Sequence, residues 1–191
     1  LYIADESQRL DSAALYEYIV ANGIERLFAP FIAIEHLVQE SNRLAQSVSL
    51  KQTMPLKELI TAGEQLQITP ALREFMQTHP QATLENQYGP AETHVVTAYP
   101  LRGNSQQWVD LPPIGRPIAN ATIYILNTEL KPVPVGTPGE IYIGEALARG
   151  YYNQPDLTAE RFIPNPFGKM PGERLYKTGD VGRYQEDGQI E

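Results

Sequence analysis

The sequence predicts an α/β fold, a mostly parallel sheet with flanking helices, followed by a β-rich part. Three observations predict it. Over the first hundred residues, segments of helical period alternate with short apolar runs suited to buried strands. Beyond residue 97 the rhythm changes to short alternating runs parted by Pro and Gly. The 191 residues, 42% hydrophobic, suffice to bury one substantial core or two modest ones.

Taken in order, "RLDSAALYEYIVANG" carries a cap candidate in Asp11 or Ser12, apolar Ala14, Leu15, Tyr18 and Ile19 at helical spacing, and Gly23 to end the helix. "IERLFAP" reads as a short strand closed by Pro30, and "FIAIEHLVQESNRLAQ" as a helix with Phe31, Ile34, Leu37 and Val38 on one side. "LKELITAG" is a strand ending in Gly63. "TPALREFMQTH" is a helix capped by Thr69 with Pro70 in its first turn, and "ATLENQYG" is the next strand. Strand and helix alternating at this rhythm place binding residues at the carboxyl ends of the strands.

"ATIYIL", "GEIYIG" and "RLYKTGDVGRY" are short alternating strands joined by turn formers such as "KPVPVGTPG". "DLTAERF" has room for about two helical turns between Pro and Gly residues that demand irregular chain. The boundary falls near 100 to 113, giving an α/β part over 1–100 and a β-rich part over 101–191. No internal repeat or low-complexity tract stands out.

Fifteen Lys and Arg against 23 Asp and Glu give a net charge of -8, which disfavours nucleic acid and anionic membrane as partners. With no cysteine there is neither a disulfide nor a thiolate zinc site, and His36, His79 and His94 lack metal-ligand spacing. The acidic start "LYIADESQRLD" is unlike a secretory signal, and no run of about 18 apolar residues follows. A soluble, cytoplasmic protein is expected. "LYIA" begins as though inside a strand and "EDGQIE" stops as though about to enter one, so the chain is expected to be a piece of a longer protein.

"NQYGPAETHVV", residues 86–96, puts Tyr88, Gly89, Pro90 and Glu92 where a parallel sheet places ligands. A lone acid there can hold a divalent cation on a phosphate substrate; the plainer reading is a turn with a solvated glutamate. Tyr88 offers a flat surface to a base, or merely packs. Gly63 in "ITAGEQL" exposes backbone at the same edge, or simply makes a tight turn. Asp180, in the Gly-Asp turn that ends the strand in "YKTGD", accepts hydrogen bonds from a diol such as a ribose, or bonds its own turn. No Ser, Lys or His set has catalytic spacing, and there is no Gly-rich phosphate loop of the Walker type. The residues by themselves reach an α/β ligand-binding protein, suited to a phosphorylated substrate.

"NQYGPAETH", "GEIYIGEALARGYYNQPDLTAERF" and "YKTGD", in this order, resemble the core motifs of the adenylation domains of nonribosomal peptide synthetases, within the wider family of acyl-adenylate-forming enzymes. The likeness runs over essentially the whole chain and implies a fragment of an adenylate-forming fold, its β-rich part a distorted barrel. It implies an enzyme that activates an amino acid or related small carboxylic acid with Mg-ATP and loads it on the phosphopantetheine of a peptidyl carrier domain. The remainder of the adenylation domain and neighbouring synthetase modules are the implied partners, and an antibiotic or other secondary metabolite the implied product.

By the same resemblance Tyr88 lies against adenine and Gly89 belongs to its turn; Glu92 holds Mg2+ and is the catalytic residue. Asp180 binds the ribose hydroxyls, and Gly63 and Glu64 border the nucleotide. Phe31, Ile60, Ala62, Gln87, Val95 and Val96 line the acyl pocket. Three departures stand out: Ala91 replaces the usual threonine, "IGEALARG" is about one residue short, and the phosphate loop, amino-group aspartate, arginine and catalytic lysine of the family lie outside this chain. The chain alone is therefore expected to be inactive. Ala91 also keeps open a non-catalytic scaffold, carrier-docking or degenerate domain.

Overall fold

The computed structural model describes residues 1–46, 54–145 and 147–191. Contacts divide the chain into two interleaved units, Leu1–Asn86 with Pro100–Pro112, and Gln87–Tyr99 with Pro113–Glu191. The change of character expected near 100–113 is a change in element type along the chain; the units exchange segments around it.

In the first unit, α1 (Glu6–Leu10) is a short helix not expected from the sequence. It stands on a capping box, in which the Asp5 carboxylate accepts from the Gln8 N–H while Gln8 accepts from that of Asp5, each at 2.9 Å. α2 (Ser12–Ala21) is capped by Asp11, which accepts from Ala13 and Ala14 N–H at 2.9 and 3.2 Å. β1 (Arg26–Phe28), α3 (Phe31–Ala45), β2 (Glu58–Thr61), α4 (Pro70–Thr78) and β3 (Thr83–Tyr88) follow, the last two residues of β3 belonging to the second unit. β1 pairs with β2 and β2 with β3, both in parallel, setting Phe28 beside Ile60 and Thr61 beside Asn86. Of the face read in α3, Ile34, Leu37 and Val38 are fully buried and Phe31 half-buried; Leu72 and Phe75 of α4 are fully buried, as are Leu59 and Leu84 of the strands. Each such side chain contributes roughly 1.5–3 kcal/mol by leaving water.

The second unit is β-rich. β4 (Thr97–Leu101) pairs antiparallel with β5 (Arg116–Pro117) through Thr97 and Ala98. β6 (Thr122–Leu126), β7 (Gly139–Gly144), β8 (Phe162–Pro164) and β9 (Arg174–Gly182) form an antiparallel sheet in the order β6-β7-β9-β8, with α5 (Pro155–Arg161) leading into β8. Ile123, Ile125, Ile141, Ile143, Phe162 and Tyr176 form its core with Val96 and Ile190. One irregularity positions the site. β7 and β9 are in register at Tyr142↔Lys177 and again at Glu140↔Val181, so Thr178, Gly179 and Asp180 stand opposite Ile141 alone. The "TGD" segment is a bulge within a continuing strand, rather than the turn expected at a strand's end.

Candidate functional site

The loop after β3 is fixed at both ends. The Val96 N–H donates to the Tyr88 carbonyl at 2.8 Å, closing it. Within it, buried Thr93 donates its hydroxyl to the His94 carbonyl at 3.0 Å, and His94 adopts a left-handed conformation at φ 59°. A Cβ on residue 89 would lie 1.8 Å from that carbonyl oxygen, so only glycine lets the two backbones approach. This closed loop carries Glu92.

The β9 bulge brings Asp180 to the tyrosine at the start of the loop. Thr178 donates its hydroxyl to the Ile141 carbonyl at 2.8 Å and accepts from the Asp180 N–H at 2.9 Å. Gly179, at φ 84°, donates its N–H to Glu140 at 3.1 Å. So held, Asp180 accepts a 2.6 Å hydrogen bond from the Tyr88 hydroxyl. Burial, then the carboxylate beside it, pushes the Tyr88 phenol well above its ordinary pKa. The pair leaves a half-buried ring beside an exposed carboxylate whose other oxygen is available to a diol.

Glu92 has a different setting. Tyr151 donates its hydroxyl to Glu92 Oε1 at 2.5 Å, and the hydroxyl of Tyr176 lies 3.5 Å from that of Tyr151. Burial works against the charge of Glu92, but hydrogen bonds from Tyr151 and Tyr176 and the nearby Arg161 outweigh it and hold the carboxyl below the ordinary glutamate range. Burial, then the bond to Glu92, pushes the Tyr151 phenol up against the opposing Tyr176 hydroxyl and Arg161; burial, then Tyr151 and Glu92, pushes the Tyr176 phenol up. Tyr151, Tyr176 and Arg161 were not among the expected site residues. All three lie inside the motifs quoted above, yet no local pattern says which of Tyr151 and Tyr152 faces the acid.

Among the described residues no three His, Cys, Asp or Glu side chains gather as a metal cluster. Glu92 nevertheless fits Mg2+, which typically takes one or two protein carboxylates and completes its shell with phosphate oxygens and water. The Glu92 carboxyl is held below the ordinary glutamate range, and the hydrogen bond from Tyr151 falls on one oxygen, Oε1.

The remaining expected residues divide between the units. In the first, Gly63 has φ 88°, and Glu64 accepts from the Ile32 N–H at 3.3 Å. That bond caps α3, whose N-cap Pro30 has no side-chain acceptor. Phe31, Ile60 and Ala62 are half-buried there. In the second, Gln87 and Val95 are half-buried, while Val96 is fully buried in the core of that unit. Ala91 is exposed, and Ala146 of the shortened "IGEALARG" lies outside the described residues.

The family model of AMP-binding enzymes matches residues 1–152. The chain belongs to the AMP-binding enzyme family. It is 40% identical over its whole length to tyrocidine synthase 2 of Brevibacillus parabrevis, of which it spans 5%. The crystal structure of the nonribosomal peptide synthetase FmoA3 bound to AMPPNP matches 96% of this chain at 29% identity and a TM-score of 0.81; the match takes up 19% of that protein. PA1221, a nonribosomal peptide synthetase protein containing adenylation and PCP domains, matches 95% of the chain at 27% identity and a TM-score of 0.77, over 35% of its own length. The AMP-binding chain thus spans only a small part of each of these relatives, and its mixed α/β fold is the one expected from the sequence. Among its described residues no helix is long and apolar enough to cross a membrane.

Proposed function

We propose that the protein containing this chain is a cytoplasmic acyl-adenylate-forming ligase that activates an amino acid or related carboxylic acid with Mg-ATP and passes it to the phosphopantetheine of a carrier domain. One observation carries the reading: the β9 bulge sets Asp180 against the Tyr88 phenol, so that one aromatic face and one carboxylate are fixed together. In this reading the Tyr88 ring lies against adenine, and the Asp180 oxygen not engaged by the phenol takes the ribose hydroxyls. Gly89 holds the loop that presents Glu92, the ligand to Mg2+. Gly63 and Glu64 border the nucleotide. Bound Mg2+ supplies charge neutralisation at the phosphates.

The chemistry needs no covalent nucleophile from the chain. An oxygen of the substrate carboxylate forms a bond to the α-phosphorus as the bond from that phosphorus to the bridging oxygen of pyrophosphate breaks. The thiol of the carrier then forms a thioester at the acyl carbon and AMP leaves. Fixed groups lower such barriers because they need no reorganisation as charge moves. Phe31, Ile60, Ala62, Gln87, Val95 and Val96 are the proposed acyl-pocket residues. They offer no charge and one amide, which favours a medium-sized apolar or aromatic acid, since an unpaired ion in such a lining costs several kcal/mol.

Substrate-dependent ATP–pyrophosphate exchange on the full adenylation domain tests this. Exchange is expected with an apolar or aromatic acid, with a loss of about tenfold or more in Asp180→Asn and Glu92→Gln. No exchange with any acid, or exchange unaffected by both substitutions, would sink the reading. The 191 residues alone are expected not to turn over, and exchange by them would show that the groups outside this chain are dispensable.

A further inference from the structure

We propose that Tyr151 is a positioning residue that engages one carboxylate oxygen of Glu92 and leaves the other as a single-oxygen metal ligand, biasing the site toward Mg2+ over Ca2+. The inference rests on the metal role given to Glu92 above. It gives a task to "ARGYYNQPDLT", a motif segment that the ATP chemistry leaves unused.

The geometry points to a mount rather than a chance contact. Tyr151 holds Glu92 Oε1 at 2.5 Å. Its ring stands edge-on to Phe162 with centroids 5.7 Å apart, and its N–H donates to the Thr158 hydroxyl at 2.9 Å. Thr158 in turn donates to the Gln154 carbonyl at 2.8 Å. Gly150, at φ 144°, lets this threonine close in, because a Cβ there would lie 2.4 Å from the Thr158 methyl. The Ala148 N–H donates to the Glu92 carbonyl at 2.7 Å, tying the same segment to the backbone of the acid. Behind Tyr151, buried Tyr176 packs on Phe162 with centroids 5.1 Å apart and its hydroxyl toward that of Tyr151. The phenol is therefore anchored through both its ring and its backbone and cannot easily swing aside.

The consequence for a metal is chemical. Mg2+ is small and octahedral and takes single carboxylate oxygens, whereas Ca2+ is larger and accepts both oxygens of one carboxylate. With Oε1 engaged, Glu92 presents only Oε2, which suits the smaller ion.

The test is calorimetric binding of a non-hydrolysable ATP analogue to the full adenylation domain, without metal, with Mg2+ and with Ca2+. Tyr151→Phe keeps the ring and is expected to cut the Mg2+-dependent gain in affinity about threefold to tenfold while the Ca2+-dependent gain holds or rises. Tyr152→Phe, at a neighbouring residue that is 90% exposed, is expected to keep the wild-type ratio. A wild-type Mg2+-to-Ca2+ ratio in Tyr151→Phe, or an equal loss with and without metal, overturns the inference. Should that variant melt as an unfolded protein, Thr158→Val, which removes the acceptor for the Tyr151 N–H, takes its place and must shift the ratio in the same direction. Glu92→Gln separates the two readings. If it retains the full Mg2+ gain, the metal role of Glu92 falls and this inference with it; if it loses the gain while Tyr151→Phe keeps the ratio, only the inference falls.

Discussion

A methyl group at residue 89 has nowhere to go, since the His94 carbonyl would be 1.8 Å away and both partners are backbone. Gly89→Ala is therefore expected to destabilise the fold by about 3 kcal/mol, read as a fall in the urea midpoint, or to displace the loop bearing Glu92. A wild-type midpoint together with unchanged nucleotide binding would contradict this. Tyr88→Phe removes a charge-assisted bond to an exposed carboxylate and should cost less, about 1 kcal/mol, because water can replace the lost donor. Both residues were legible as turn and ligand candidates, one at a time. The joining of Tyr88 to Asp180 was not, because it depends on a register shift between β7 and β9 that no local pattern encodes. The tyrosine clamp on Glu92 was hidden for a similar reason: its members lie 59 positions from the acid and more, and only the folded sheet brings them to it.

Elements with a long apolar stripe or a marked cap were readable. α2 and α3 fall where the helical spacing put them and α4 where its Thr69 cap and Pro70 put it, because burial of one face and local capping act on the same elements. α1 escaped because its five residues bury nothing and stand on their capping box alone. β4, β5 and β8 escaped because they are short and interrupted by Pro100, Pro117 and Pro164, and are strands only by virtue of their neighbours. α4 shows how one cap links elements. The Thr69 hydroxyl accepts from the Leu72 N–H at 3.1 Å and donates to Glu35 at 2.7 Å, and that buried carboxylate of α3 also accepts from Gln39 at 2.6 Å. Thr69→Ala thus loses a helix cap and leaves a buried acid short of a donor, an expected cost of about 2–3 kcal/mol. Thr69→Ser should restore most of it. Denaturation midpoints of the two variants decide, and equal losses would show that the hydroxyl is not what joins α3 to α4.

For the molecule as a whole, the change of rhythm near 100 was legible and the interleaving of the units was not. Residues 100–112 join the first unit through contacts distant in sequence: Arg73 of α4 donates to the Ser105 and Trp108 carbonyls and pairs with Asp110, whose own carbonyl accepts from the Ile68 N–H at 2.8 Å. A property spread over the whole chain is its response to base. Burial is the leading cause raising the phenol pKa values of Tyr16, Tyr88, Tyr142, Tyr151, Tyr176 and Tyr184, so ionising them is coupled to unfolding. Tyr142 is the informative member: burial and then the Glu140 carboxylate push it from the ordinary 10.0 up to about 12. Its folded pKa lies above the unfolded one, so its contribution to stability is fully present below pH 10.0 and is lost as the pH rises toward about 12. Tyrosinate absorbance from these six phenols is therefore expected to rise only as the fold gives way. Urea midpoints should be flat up to about pH 10 and then fall. Tyr142→Phe should make that fall shallower without shifting its onset to lower pH. A single absorbance transition near 10 with the fold intact would show that these phenols are not held by burial.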